Sequence, residues 1–195
     1  AANGGYAGYN QILDALVNPA LGPLAITQEE ADYRKVTFAA GQNAAVVVDD
    51  NLTDITGGLN ALLGLGAIDA AQLAALTPLV QARQLKSAQE EAGLAPFGLP
   101  GEILTLSAGS VLGTLADPNN PASVIGVGVP LGDNFTLTVD EIGLLLQRIG
   151  QFNAKIAAEA AKYDGLVVYD ANTFFTGIAA GGGIMSDGFM YAPDF

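Results

Sequence analysis

Thr138-Val139-Asp140-Glu141 opens the stretch that decides the expected fold, and Leu166-Val167-Val168-Tyr169-Asp170 closes it. The first four residues form a capping box, with a threonine at the N-cap and a glutamate three residues later. Apolar residues recur at helical spacing behind this box, which predicts a helix over about residues 140–163. A helix that leads through Asp164-Gly165 into a short apolar run predicts an α/β unit with a buried, parallel strand.

A second apolar run points to the same architecture. Gly41-Gln42-Asn43-Ala44-Ala45-Val46-Val47-Val48-Asp49-Asp50 is β-branched toward its end and closed by acids, which predicts a buried strand. We expect Val46–Val48 and Leu166–Tyr169 to lie in one parallel sheet that helices cover on both faces. The expected fold class is therefore α/β, with three layers, α/β/α, around a parallel central sheet. Five apolar residues form the helix face expected to pack on that sheet: Ile142, Leu146, Ile149, Phe152 and Ile156.

The segment between these runs, residues 52–92, is rich in Ala and Leu. The stretch from Thr53 to Glu91, with good helix formers throughout Ile68–Leu76, predicts two or three short helices. The polar run Gln81–Glu91 predicts a solvent-facing helix that Gly93 closes. Residues 52–92 are thus interpreted as a helical insertion, and two roles stay open for it. It is either an ordinary core-facing layer or a lid whose apolar face meets an acyl chain.

Composition excludes several classes of function. The chain has 195 residues and a net charge of −13, so it lacks the basic face that nucleic acids require. It contains no cysteine and no histidine, which excludes disulfides, thiolate metal sites and imidazole chemistry within the chain. No apolar run reaches the ~20 residues of a membrane helix, so no transmembrane segment is predicted. The chain starts without Met and without the features of a signal peptide, so we expect a piece of a longer protein.

Two acidic features are candidates for ligand binding. Asp49-Asp50-Asn51 and Asp54 have carboxylates at close spacing, but the glycine and glutamate of a calcium-binding EF-hand loop are replaced by Asp54 and Asn60. The preferred interpretation is a polar strand end and a helix cap. Asp170 ends an apolar run where α/β folds place ligands, although a capping role is favoured. The sequence therefore assigns no catalytic, cofactor-binding or metal-binding residue, and no cofactor is expected.

Eight stretches follow one another in the order found in a known enzyme family: Tyr9-Asn10, Gly41-Gln42-Asn43, Leu99–Leu106, Leu112-Gly113-Thr114, Pro130–Asp133, Leu137–Glu141, Ile149–Ile156 and Leu166–Asn172. From the first to the last, these short stretches span most of the chain, which resembles the GDSL-like lipase and acylhydrolase family, also called SGNH hydrolases, and in particular its long bacterial exported members. The resemblance implies a three-layer α/β/α fold and hydrolysis of carboxylic esters by a Ser-His-Asp arrangement. It also implies an exported protein, in the periplasm, on the outer membrane as a lipoprotein, or outside the cell.

The blocks that carry catalysis in that family have no counterpart in this chain. The family places its nucleophile in a Gly-Asp-Ser block, its oxyanion donors in later Gly and Asn blocks, and its acid and base in Asp-x-x-His. This chain has no such block, and its five serines lie elsewhere: Ser87, Ser107, Ser110, Ser123 and Ser186. We expect a fragment that lies between the nucleophile and Asp-x-x-His blocks and that is inactive by itself, because a serine needs a general base.

Two classes of function follow from the sequence. In the first, residues 1–195 are a partial SGNH-hydrolase-like domain of a serine ester hydrolase, whose substrate is a small-molecule or lipid acyl ester. In the second, the chain is a non-catalytic, exported binding or scaffold module that retained the α/β fold. The oxyanion, nucleophile and base blocks in the flanking polypeptide would distinguish the two classes.

Overall fold

The structure, a computed structural model, describes residues 2–91, 99–181, 183–186 and 189–191. Its contacts divide the chain into two compact units, Ala1–Leu144 and Leu145–Phe195. Helices dominate the described residues, and the strands are only two or three residues long. None of the described helices combines the length and the apolar character needed to cross a bilayer.

The described residues form six α-helices and six strands. The helices are α1 Ala2–Leu16, α2 Gln28–Arg34, α3 Thr56–Gly64, α4 Ala70–Leu76, α5 Val139–Ala160 and α6 Ala171–Gly181. The strands are β1 Val46–Val48, β2 Ala82–Gln84, β3 Ile103–Leu104, β4 Thr136–Leu137, β5 Ile184–Ser186 and β6 Phe189–Tyr191. Short 3₁₀ segments occupy Pro19–Leu24, Thr77–Leu79, Leu106–Ser110 and Asp133–Phe135.

The main core of the first unit forms around α1. Tyr9, Leu13 and Leu16 are spaced four and three residues apart, which places them on one face of the helix, and all three are fully buried. Leu59 and Leu62 of α3 belong to the same apolar cluster. Two of the helices predicted within residues 52–92 form, as α3 and α4. The leucines of α3 face the core.

Strand β1 runs through the centre of the first unit. It pairs antiparallel with β2, with Val47 opposite Arg83. On its other edge, the Val46 N–H donates to the Gly126 carbonyl at 2.8 Å and the Val48 N–H donates to the Leu131 carbonyl at 2.8 Å. Both edges of β1 are thus hydrogen-bonded, and Val46 and Val47 are fully buried. The prediction of a buried strand at Val46–Val48 is confirmed.

The expected fold class is wrong. The described strands form three two-stranded antiparallel sheets, β1–β2, β3–β4 and β5–β6, rather than a parallel sheet between two helical layers. The edges of β1 are taken by β2 and by the loop that includes Gly126 and Leu131, so this strand has no edge left for a parallel α/β neighbour. Leu166–Tyr169 belongs to none of the described strands, and its side chains are exposed.

Helix α5 begins as predicted, but the burial predicted for its apolar face is wrong. The Thr138 N–H donates to the Glu141 carboxylate at 2.8 Å, which is the expected capping box. Of the five residues expected in the core, only Ile142 is buried. Leu146, Ile149, Phe152 and Ile156 are exposed, Phe152 to 68%. The amphipathic pattern is real, but the sheet that this face was expected to cover does not form.

The helix predicted for Gln81–Glu91 is also wrong. Ala82–Gln84 is strand β2, and Arg83 at its centre is fully buried. A run of polar residues resembled a solvent-facing helix because nothing local reveals that the arginine has buried acidic partners. Gly93, expected to close that helix, lies outside the described residues.

The burial pattern predicts a clear difference between leucines of the first unit. Replacing the fully buried Leu13 by Ala should lower the free energy of unfolding by about 2–5 kcal/mol, because the side chain leaves a cavity. Leu65→Ala, at a leucine that is 73% exposed, should change it by less than about 0.5 kcal/mol. Urea denaturation followed by circular dichroism measures both. Equal losses for the two variants would contradict the position of the core.

Candidate functional site

The best-defined concave site of the first unit is a groove of about 340 Å³, named the acyl groove below for its apolar walls. Six apolar residues or glycines form most of these walls: Phe38, Ala45, Leu112, Ile125, Gly126 and Val127. No charged side chain is among its described lining residues. Leu112 and Val127 are each more than one-third exposed, so the groove is open to solvent along its rim.

Backbone hydrogen bonds fix the walls of the acyl groove. The Gly113 N–H donates to the Ile125 carbonyl at 3.0 Å, and the Ile125 N–H donates to the Thr114 carbonyl at 2.9 Å. On the opposite side, the Asn43 side chain accepts from the Ala39 N–H at 2.7 Å and donates back to the Ala39 carbonyl at 3.0 Å. The groove is therefore held by main-chain pairing on one side and by hydrogen bonds between the Asn43 side chain and the backbone on the other.

Gly126 gives the acyl groove its floor. Its φ of +85° lies in the left-handed region, where residues with a Cβ are strained. A Cβ at this position would stand 2.4 Å from Cδ1 of Leu112, on the facing wall. The backbone turn therefore favours glycine at this position, whereas the contact could be relieved by movement of the partly exposed Leu112 side chain.

Sequence reasoning missed the acyl groove. Its walls come from two separated parts of the chain, residues 38–45 and 112–127, that meet only in the folded unit. Two of the stretches that carry the family resemblance do contribute to it, Gly41-Gln42-Asn43 through Asn43 and Leu112-Gly113-Thr114 through Leu112 and Gly113. Neither stretch contains a motif that predicts a pocket. Their shared place in the family resemblance was the only sequence feature that linked them.

A buried charge network lies beside β1 and β2. The Arg83 Nε donates to Asp49 Oδ2 at 2.6 Å, and its Nη1 and Nη2 donate to the two carboxylate oxygens of Glu102 at 2.6 and 2.7 Å. The side chains of Arg83 and Glu102 are fully buried. Glu102 also accepts from the backbone N–H groups of Lys86 at 2.9 Å and Val139 at 3.1 Å.

This network is structural in character. Burial by itself lowers the pKa of the Arg83 guanidinium, but its hydrogen bonds to the Glu102 and Asp49 carboxylates raise the pKa overall above its ordinary value. The ring of Tyr33 lies 5.1 Å from the guanidinium carbon, in a cation–π contact. The acids and the base of the network are occupied by one another and by the backbone, so they are not poised to exchange protons with a substrate.

Three carboxylates approach one another at the end of β1. Ligand oxygens of Asp49, Asp50 and Asp133 lie within 4.8 Å of each other. Burial, followed by repulsion from neighbouring carboxylates that include Asp50, raises the pKa of Asp133. Asp49 is already committed to Arg83, and its other oxygen accepts from the Asn51 N–H at 3.1 Å. Asp54 accepts from the Thr56 N–H at 2.8 Å, in a turn just before α3. The N-cap of α3 is Ile55, and no side chain caps this helix, so the interpretation of Asp54 as a helix cap is wrong.

Among the serines whose side chains the structure describes, none has an adjacent base suited to activating its hydroxyl. Ser87 Oγ donates to Glu90 Oε2 at 2.7 Å, and hydrogen bonds from the Ser87 backbone and hydroxyl lower the pKa of Glu90. A carboxylate with a lowered pKa is a weak base, so it does not take the hydroxyl proton at neutral pH. Ser123 is buried and donates to the Asn120 carbonyl at 2.7 Å, which orders a turn. The side chain of Ser186 lies outside the described ones.

The second unit has an open groove of about 560 Å³ beside Leu166–Tyr169. Ile156, Ala160 and Tyr163 form the wall contributed by α5 and the turn that follows it. Asp170 closes the segment, where its two carboxylate oxygens accept from the Thr173 N–H at 2.9 Å and the Thr173 hydroxyl at 2.8 Å. These bonds lower the pKa of Asp170. The favoured capping role of Asp170 is thus confirmed at the start of α6.

The charge network predicts a large effect of one neutral substitution. Glu102→Gln should lower the free energy of unfolding by about 3–5 kcal/mol, because it leaves the buried Arg83 with only one carboxylate. Glu159→Gln is the control, since Glu159 pairs with Lys155 and Lys162 on the exposed surface and should leave the unfolding midpoint nearly unchanged. Chemical denaturation of both variants is the measurement. A Glu102→Gln protein as stable as the parent would show that the network does not hold the unit together.

The raised pKa of Asp133 predicts a stabilising substitution whose effect depends on pH. A carboxyl with a raised folded-state pKa favours folding when protonated, and this contribution is lost as the pH rises through that pKa. Asp133→Asn should therefore raise the thermal midpoint at pH 7, and the gain should shrink below about pH 4, where the parent carboxyl is protonated. Asp32→Asn is the control of opposite sign, because hydrogen bonds from Lys35 and Gln28 lower the pKa of Asp32. A gain that is the same at both pH values would contradict the assignment.

Comparison with known proteins adds no family to this geometry. No family model matches the chain, and neither a curated protein nor a solved structure matches it.

Proposed function

We propose that this chain binds the acyl part of a neutral carboxylic ester in the acyl groove. In this proposal it is the acyl-binding part of a serine ester hydrolase, whose nucleophile and imidazole base come from polypeptide other than these 195 residues. The observation that carries the proposal is the groove itself, whose described walls are apolar and uncharged. The meeting of Asn43 and Leu112, from two stretches of the family resemblance, at this groove adds support.

The walls of the groove favour an ester over its product acid. Burying an acyl chain gains roughly 0.8 kcal/mol for each CH₂ group removed from water. A free carboxylate would find no cation among the described lining residues, and it would also be repelled by a net charge of −13. The same groove would therefore hold the neutral substrate and release the anionic product.

Hydrolysis by this chain alone is not part of the proposal. The chain has no histidine, and the hydroxyl of Ser87, which donates to Glu90, meets a weak base there. The fold expected from the family resemblance is corrected by the antiparallel sheets, so the resemblance supports the proposal through its residues and not through its architecture.

Binding is tested with the fluorescent methyl ester of a conjugated-tetraene fatty acid. We expect the ester to bind the chain, and the free acid to bind at least about tenfold more weakly, because transferring an unpaired charge to an apolar site is costly. Val127→Asp adds a carboxylate to the groove wall and should weaken ester binding by about tenfold or more. A titration of fluorescence intensity gives the dissociation constants.

Leu106→Asp is the matched control for this test. Leu106 is fully exposed and lies outside the described lining of the acyl groove, so its variant adds the same charge to the same unit without affecting the site. Equal weakening by Val127→Asp and Leu106→Asp would show that net charge, and not the groove, governs binding. An ester that does not bind the parent chain at all would refute the proposal.

A second measurement concerns catalysis. The chain alone should not hydrolyse a short-chain aryl ester above background, because a serine hydroxyl without a general base is a poor nucleophile. Turnover that a serine-directed phosphonate abolishes would contradict the assignment of nucleophile and base to other polypeptide.

A non-catalytic binding or scaffold module is the second candidate. The observation that favours it is the exposed apolar surface of the second unit, where Ile149, Phe152 and Ile156 of α5 are all exposed. Surfaces of this kind mark interaction sites in soluble proteins. Phosphonate-sensitive ester hydrolysis by the polypeptide that contains this chain would favour the hydrolase, and its absence in a form that still binds the fatty ester would favour the module.

A further inference from the structure

The segment Leu166–Tyr169, named the exposed strip below, has no regular secondary structure and no described hydrogen-bonding partner over most of its backbone. The Leu166 N–H donates to the Tyr163 carbonyl at 3.3 Å. The N–H groups of residues 167–169 and the carbonyls of residues 166–169 make no hydrogen bond to a described residue. A row of free donors and acceptors on an extended chain is what a strand at the edge of a sheet presents.

The side chains of the exposed strip are those of a central strand. Val167 is 85% exposed, and Leu166 and Tyr169 are each more than half exposed. Branched and aromatic residues of this type favour strands because they pack on a pleated surface. A sequence typical of a central strand is therefore exposed to solvent. Its backbone groups can form hydrogen bonds with a partner, and its apolar side chains can pack against one.

A receptacle for incoming side chains lies next to the exposed strip. The groove of about 560 Å³ is lined by Leu166 and Val167 of the strip and by Ile156 and Tyr163. The exposed Lys155–Glu159 ion pair also belongs to its lining. Strand addition takes its affinity from main-chain hydrogen bonds and its specificity from pockets that receive alternate side chains of the added strand. The exposed strip provides the main-chain hydrogen-bonding groups, and the groove provides the pocket for side chains.

Charge at the two ends of the exposed strip identifies the chemistry of the occupant. Asp164 stands before the strip and Asp170 after it, and both are exposed. The Asp170 carboxylate stays ionised, because its hydrogen bonds with Thr173 favour the charged form. An apolar segment bracketed by two anions is complementary to an apolar segment bracketed by two cations.

We propose that the exposed strip of the second unit is a β-strand addition site for an extended segment of a partner polypeptide, with apolar side chains at alternate positions and a basic residue at each end. The proposal is independent of the acyl groove, which lies in the first unit. A second copy of this chain is a poor occupant, because its own strip carries the same flanking acids and the two copies would bring together net charges of −13.

The test uses the full chain and a fluorescein-labelled octapeptide with lysine at both ends and valine alternating with threonine between them. We expect binding by fluorescence anisotropy below about 1 mM. The same peptide with N-methyl groups on alternate backbone nitrogens should bind at least about tenfold more weakly, because it loses two or more main-chain hydrogen bonds. A peptide with glutamate at both ends should also bind more weakly, and its disadvantage should shrink as salt is added.

Two variants of the chain locate the site. Alternate N–H groups of an extended strand point to opposite edges, so Val167→Pro and Val168→Pro remove donors from different edges. One variant should weaken binding of the lysine peptide by about tenfold and the other by clearly less. Unchanged far-ultraviolet circular dichroism confirms that both variants fold, and the peptide comparison does not depend on either.

Three results would overturn the proposal. The first is a lysine peptide that does not bind, and the second is an N-methylated peptide that binds equally well, which would leave only apolar contact. The third is a parent chain that dimerises without peptide and becomes monomeric in the proline variant, because the occupant would then be a second copy.

Discussion

The Arg83 guanidinium is the group on which the first unit depends. It is fully buried at the centre of β2, and it binds Asp49 at the end of β1 and Glu102 just before β3. Glu102 in turn accepts from the Val139 N–H at the start of α5. One cation therefore ties together three strands and a helix start, and removal of either carboxylate leaves buried guanidinium N–H groups without their charged acceptor.

This arrangement also explains which parts of the fold could be predicted from the sequence. The start of α5 and the buried strand β1 are encoded locally, by a capping box and by a continuous apolar run. The strand at Ala82–Gln84 is not, because its arginine has partners 34 and 19 residues away and resembles a surface residue until they are known. The exposure of α5 and of Leu166–Tyr169 could not be predicted from the sequence either. An amphipathic or apolar pattern shows that a segment is able to bury a face, but it does not show whether another segment covers that face.

The two candidate sites show the same limit of prediction from sequence. The acyl groove is built from segments without a motif, closed by main-chain hydrogen bonds and opened by a glycine at residue 126. Asp170 was found by its position after an apolar run, and its capping role could be anticipated because helix caps are local. Sequence alone thus locates single residues with local roles, whereas concave surfaces between distant segments become visible only in the folded chain.

The exposure of Leu166–Tyr169, a segment without regular secondary structure, has one more consequence. Proteases bind their substrates as extended strands, and exposed segments without hydrogen-bonded partners are the sites they cut first. A cut within this segment would fall between α5 and α6 and would leave the buried Arg83 network untouched. The segment is therefore the natural point of limited proteolysis, and an occupant that binds there would also protect the chain from being cleaved.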